Sequence, residues 1–130
     1  MRVLVDTSAV VMWSMDRASL RPEVDALLMA DSTALVLSAI VPWEVAIKWR
    51  TGRLQLTVHP REWTARLARE LGVEHLPITS EIVIDVADLP DHHRDPFDRL
   101  LIAQARAQRM PIVTADRVFG QYDVEVITAR

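Results

Sequence analysis

Arg2-Val3-Leu4-Val5-Asp6-Thr7-Ser8 opens the chain with a short apolar run that stops on an acid. Such a run, followed by a helical pattern through Ser8–Met15, is the start of a β-strand-to-helix unit. The same device recurs near the other end of the chain, where Pro111-Ile112-Val113-Thr114-Ala115 leads to Asp116. Between them lie further strand candidates at Ala34–Ser38 and Val73–Leu76, and a last one follows at Glu125–Thr128. Short β-like runs alternating with helical patterns predict an α/β fold built on a largely parallel sheet.

The helices are marked by their ends. Pro22 begins a second helix, with Leu20, Val24, Leu27 and Leu28 on one face. A third starts near Pro42 and stops near Gly52, and a fourth runs from Pro60 to Leu71 with Gly72 after it. Ser80 is the expected N-cap of a fifth, which turns Ile82, Val83, Val86 and Leu89 inward. The sixth enters through Asp95-Pro96 and continues to Arg109; a short helical turn is expected around Asp116–Phe119.

At 130 residues the chain reads as one domain spanning residues 1–130, long enough to bury a core. Half of its residues are hydrophobic and a quarter charged, the balance of a soluble globular protein. No apolar stretch reaches the length of a membrane span and no secretory signal pattern opens the chain, so a cytoplasmic location is expected. The absence of cysteine excludes disulfides, zinc-thiolate sites and thiol catalysis. A net charge of −3 exerts no overall pull on nucleic acid. Lys48 is the only lysine among fifteen basic residues, a bias that genomic base composition explains as readily as phosphate recognition.

Four acids stand at element ends. Asp6 and Asp116 follow strands; Glu44 and Asp98 fall in the first turns of helices. In open parallel α/β sheets ligands bind beyond the carboxyl ends of the strands, so all four can meet on one edge. Carboxylates gathered there repel one another unless a hard cation holds them. Oxygen ligands suit Mg²⁺ or Mn²⁺, and an ion left with open positions can lower the pKa of its water and polarise a phosphodiester. Each acid also has a purely structural account. Asp6 and Asp116 are suited to N-capping, Glu44 to the helix dipole, and Asp98 to an ordinary helix start behind Asp95 and Pro96.

The motifs Val5-Asp6-Thr7-Ser8, Trp43-Glu44-Val45-Ala46-Ile47-Lys48, His93-Arg94-Asp95-Pro96-Phe97-Asp98-Arg99-Leu100-Leu101-Ile102-Ala103 and Val113-Thr114-Ala115-Asp116 occur in that order along the chain. Together they resemble the PIN-domain ribonucleases, in particular the VapC toxins of toxin–antitoxin pairs, over essentially the whole length. The resemblance implies a PIN-like three-layer fold with a mostly parallel sheet of about five strands. It implies metal-binding, catalytic acids at Asp6, Glu44, Asp98 and Asp116, and an endoribonuclease dependent on Mg²⁺ or Mn²⁺. It further implies homodimerisation and inhibition by a small VapB-like antitoxin that covers the acidic pocket. A PIN nuclease without an antitoxin, and a catalytically silent PIN module that docks basic peptides, stay open as alternatives.

Auxiliary roles are expected for Thr7 and Thr114, whose hydroxyls suit a metal's water shell, RNA phosphate or local backbone, and for Asp95 as a reserve acid. His92 and His93 are expected in a solvated loop. Trp13, Trp43, Trp49 and Trp63 can stack bases, but their spacing among Val, Leu and Ala points to core or interface. Arg50, Arg53, Arg94, Arg99 and Arg117 are candidates for RNA phosphates, with a solvated face as the plainer account of each.

Overall fold

The computed structural model describes residues 1–130. Five strands form one sheet: β1 (Arg2–Val5), β2 (Ala34–Ser38), β3 (Glu74–Leu76), β4 (Ile112–Thr114) and β5 (Val126–Thr128), in the order β3-β2-β1-β4-β5. Every pairing is parallel. The helices are α1 (Thr7–Met15), α2 (Pro22–Met29), α3 (Ile40–Arg50), α4 (Pro60–Leu71), α5 (Ser80–Asp85) and α6 (Pro96–Gln108), and they flank the sheet in a three-layer α/β arrangement. Parallel strands covered on both faces carry continuous apolar runs. Val3, Leu4 and Val5 of β1 and Leu35, Val36 and Leu37 of β2 are accordingly buried, as are Leu101 and Ile102 of α6.

Several boundaries differ from the sequence expectation, each for a local reason. Helix α3 begins two residues before Pro42, because the Ile40 N–H is taken by the Ser38 hydroxyl at 3.2 Å. Pro42 lacks an N–H, and in a first turn none is needed. Thr79, not Ser80, caps α5 by accepting from the Ile82 N–H. That helix is only six residues long before it tightens into a 3₁₀ turn, Val86–Asp88. Ile82 and Leu89 face the core as expected, but Val83 is exposed. Gly72 does end α4 in the left-handed region, at φ +61°, which only glycine adopts without cost.

The tryptophans divide. Trp13 and Trp63 are buried, and the Trp63 indole donates to the Ser14 hydroxyl at 2.9 Å. Trp49 is half-buried with its ring edge against His59. Trp43 is exposed by 58 %, so its place is not the core.

Strand order reverses between β1 and β4: from β1 the chain moves outward one way to β2 and β3, and β4 and β5 lie on the other side. Side chains just after these two neighbouring strands therefore line the crevice at the switch point. Asp6 and Asp116 are placed there.

Candidate metal centre

The end of β1 is tied directly to the end of β4. The Asp6 N–H donates to the Val113 carbonyl at 3.0 Å, continuing the sheet ladder. The Asp6 side chain is almost fully buried, and both of its oxygens have donors. Oδ1 accepts from the Ala9 N–H at 2.9 Å and the Ser8 hydroxyl at 2.7 Å; Oδ2 accepts from the Thr114 hydroxyl at 2.5 Å. Thr114 Oγ1 in turn accepts from the Asp116 N–H, and Ser8 Oγ from the Ala115 N–H. Asp6 thus does N-cap α1 through one oxygen, while the other is tied to β4. Asp116 divides its oxygens in the same way: Oδ1 caps the 3₁₀ turn Arg117–Gln121 through the Val118 N–H, and Oδ2 turns to His93.

Glu44 arrives from α3 and is also buried. The Thr7 hydroxyl donates to its Oε1 at 2.5 Å, and Lys48, one turn on, reaches Oε2 at 2.9 Å. The two threonines therefore serve carboxylates, Thr7 on Glu44 and Thr114 on Asp6. Asp95 and Asp98 come from the start of α6, where Asp95 Oδ1 caps the Phe97 N–H at 2.8 Å. Two sets of donor atoms converge, each within 4.8 Å of one another: Glu44, Asp95 and Asp98 in one, His93, Asp98 and Asp116 in the other. Asp98 belongs to both. Asp95, the reserve acid, thus stands beside Asp98 rather than apart from it. Asp6 lies outside both sets, though its Oδ2, with a single donor, keeps a lone pair, and its charge is felt at Asp98.

The two adjacent histidines part company. His92 is exposed, as expected, but His93 is drawn out of solvent. Its side chain is 15 % exposed, and Nε2 lies 2.8 Å from Asp116 Oδ2 and 3.0 Å from Asp98 Oδ2. The backbone fixes the ring's tautomer. The Asp95 N–H donates to Nδ1 at 3.1 Å, so the hydrogen-bond network assigns the ring proton to Nε2. That proton points between the two carboxylates. His93 in this arrangement is a donor that draws Asp98 and Asp116 together, because a nitrogen bearing a proton has no lone pair for a metal. The backbone of His93 is held as well, its N–H donating to the Tyr122 hydroxyl at 2.7 Å.

Arg99 is likewise not a phosphate ligand. Its guanidinium is nearly buried and donates to the carbonyls of Val86, Leu89, Pro90 and His93. It clamps the segment that carries His93 onto α6. Side-chain identity alone could not show this, because those acceptors are backbone carbonyls.

Burial and like charge raise the proton affinity of Asp6 and Asp98. Asp6 is pushed from 3.8 to about 6, chiefly by burial; hydrogen bonds from Thr114, Ser8 and Ala9 oppose the rise, and Glu44 adds to it. Asp98 is pushed from 3.8 to about 8, again first by burial and then by Asp95, Asp6, Glu44 and Asp116. Such a concentration of carboxylate oxygen is costly by itself and well matched to a hard divalent cation. Glu44, Asp95, Asp98 and Asp116 supply oxygens of the type Mg²⁺ and Mn²⁺ take, so the donor set fits such an ion.

Fold and site together define a class: an all-parallel α/β domain whose strand ends gather buried acids at the switch point. The chain belongs to the PIN domain family, whose family model matches residues 3–125. No curated protein sequence matches it. Among solved structures it resembles VapBC2 from Rickettsia felis, bound to a DNA fragment from its promoter. The TM-score there is 0.73 at 14 % identity, over 100 % of both chains. It also resembles VapBC-1 from nontypeable Haemophilus influenzae, with a TM-score of 0.68 at 16 % identity, over 98 % of both chains. FitAcB from Neisseria gonorrhoeae follows at 0.62 and 19 % identity, over 97 % of this chain and 96 % of that one. At these identities the likeness is one of fold.

Proposed function

We propose that this protein is a Mg²⁺- or Mn²⁺-dependent endoribonuclease of the VapC toxin kind, acting in the cytoplasm as a homodimer and restrained by a cognate antitoxin. The observation that carries the reading is the meeting at Asp98 of acids from three separate elements. Membership of the PIN family and a fold shared with proteins solved as two-component complexes support it.

In this reading Asp6, Glu44, Asp98 and Asp116 are the catalytic, metal-holding set, with Asp95 beside them. A bound divalent ion supplies Lewis acidity toward the phosphodiester and a water of lowered pKa. The chain's own groups do the rest. Thr7 and Lys48 hold the Glu44 carboxylate, Thr114 and Ser8 hold Asp6, and His93 spaces Asp98 from Asp116. One of these acids is suited to take the proton released during hydrolysis. The test is incubation of the purified protein with structured RNAs, with and without EDTA. Cleavage is expected to stop on chelation and in Asp6→Asn and Asp98→Asn variants; cleavage that persists in either case refutes the mechanism.

The same charge explains restraint. A guanidinium pairs with carboxylates bidentately, so an antitoxin arginine placed in this pocket blocks metal and substrate together. Calorimetry of the antitoxin against the Asp98→Asn, Asp116→Asn double variant should show weaker binding. Unchanged affinity would remove the pocket from the antitoxin's footprint.

A further inference from the structure

Resting on the nuclease reading above, we propose that Trp43, Phe97 and the cavity beside them form a subsite for an unpaired nucleotide next to the acids. Trp43 is the one tryptophan left largely in solvent, and its ring meets Phe97 edge to face at a centroid distance of 5.2 Å. The pair sits within one residue of two pocket acids, since Trp43 precedes Glu44 and Phe97 precedes Asp98. Phe97 and Ile47, one turn from Trp43 on α3, line a cavity of about 340 Å³ that also includes Glu44 and Asp95. That volume lies within the usual range of ligand cavities, roughly 300–1,000 Å³.

The lining also includes three basic side chains: Lys48, Arg53 and Arg94. Lys48 is committed to Glu44. Arg53 and Arg94 form no ion pair with any acid, and the only acceptor Arg53 meets is the Thr51 hydroxyl. A planar apolar face and two guanidiniums without ion-pair partners, beside the acids, suit a strand that alternates flat bases with phosphates. Only an unstacked base can present its face to Trp43, so the subsite selects single-stranded segments over duplex.

The experiment measures fluorescence anisotropy of a fluorescein-labelled single-stranded RNA of mixed sequence without self-complementarity. A duplex of equal length serves for comparison, with Ca²⁺ in place of Mg²⁺ and the RNA checked for integrity. Trp43→Ala is expected to weaken single-strand binding about tenfold and leave duplex binding unchanged, with most of the loss restored in Trp43→Phe. Arg53→Gln and Arg94→Gln should each lower the slope of log K against log salt by roughly 0.7. Single-strand affinity unchanged in Trp43→Ala overturns the subsite, and Mg²⁺-dependent cleavage by that same variant leaves the nuclease reading standing. A wild-type protein that neither binds nor cuts RNA removes both. If Trp43→Ala spares RNA binding but loses the antitoxin, the surface is a protein-docking face and the proposal is wrong. Should Trp43→Ala fail to fold by circular dichroism, Trp43→Phe and the two arginine variants decide the matter.

Discussion

Helix α6 has acids at both ends. At its N-terminus Asp95 and Asp98 meet Glu44, Asp116 and His93; at its C-terminus a cavity of about 590 Å³ is lined by Asp85, Asp88, Asp123 and Glu125. The second cavity is the larger, and it has as many acids. Yet all four of its acids are exposed, and Arg106 and Arg109 stand among them. At the N-terminal end Glu44 and Asp6 are buried, and the Asp98 side chain is 16 % exposed. Water screens charge at one end and is kept from it at the other. Volume does not mark the candidate metal centre; withdrawal of like charges from solvent does.

The sharpest break of this contrast is removal of Asp98. Asp98→Asn should weaken Mn²⁺ binding by calorimetry more than about 100-fold, since even groups that only support a ligand are worth 10–100-fold. Asp88→Asn and Asp123→Asn should leave it unchanged, and equal losses at the two ends would erase the distinction. Arg99→Met is next. It leaves the carbonyls of Val86, Leu89 and Pro90 without their charged donor and should cost about 2–3 kcal/mol, seen as a fall in Tm. A Tm within about 1 °C of wild type would show that the clamp is dispensable.

Loss of the imidazole donor acts on the acids rather than on the fold. His93→Ala should weaken Mn²⁺ binding by roughly 10-fold, with partial recovery in His93→Gln, which keeps an N–H. Imidazole ¹⁵N spectra should show the ring proton at Nε2; a proton at Nδ1 instead would make His93 a ligand.

The smallest effect is one of pH. Asp6 and Asp98, at about 6 and about 8, bind protons more tightly in the folded than in the unfolded chain, where both lie near 3.8. Their contribution to stability is complete below about 3.8 and is lost as pH rises through 6 and then 8. In EDTA the protein should therefore melt a few degrees higher at about pH 5 than at about pH 8.5. Mg²⁺ should narrow the gap, because a cation stabilises the ionised acids. A Tm that climbs with pH in EDTA contradicts the assignment.

Strands β1 and β2 were legible to the residue, because a short, wholly apolar run between polar residues fits little besides a strand covered on both faces. The acids at strand ends were legible from the same boundaries, and so was the left-handed end of α4 at Gly72. What a chain does with backbone acceptors was not. Arg99 reads as a surface cation because its four carbonyl partners carry no side-chain signature. His93 reads as solvated because the groups that bury it, Asp116 and Tyr122, come from 23 and 29 positions away. Asp95 and Asp98 could not be ranked from sequence, since an acid that caps a helix and an acid that faces a crevice look alike until the crevice exists. That Trp43 lies outside the core was not legible for the complementary reason: helical spacing says which face a residue is on, but not whether anything covers that face.

Parallel pairing of β1 with β4 also has a consequence for synthesis. The hydrogen bond from Thr114 to Asp6 joins residues 108 positions apart. A ribosome that has made β1, β2 and β3 has released a chain with Asp6 and Glu44 but no partner strand to set Asp116 beside them. The pocket is assembled only when nearly all of the described residues are outside the exit tunnel. Order of manufacture thus sets the order of assembly, and a fragment that ends before β4 lacks the strand that places Asp116.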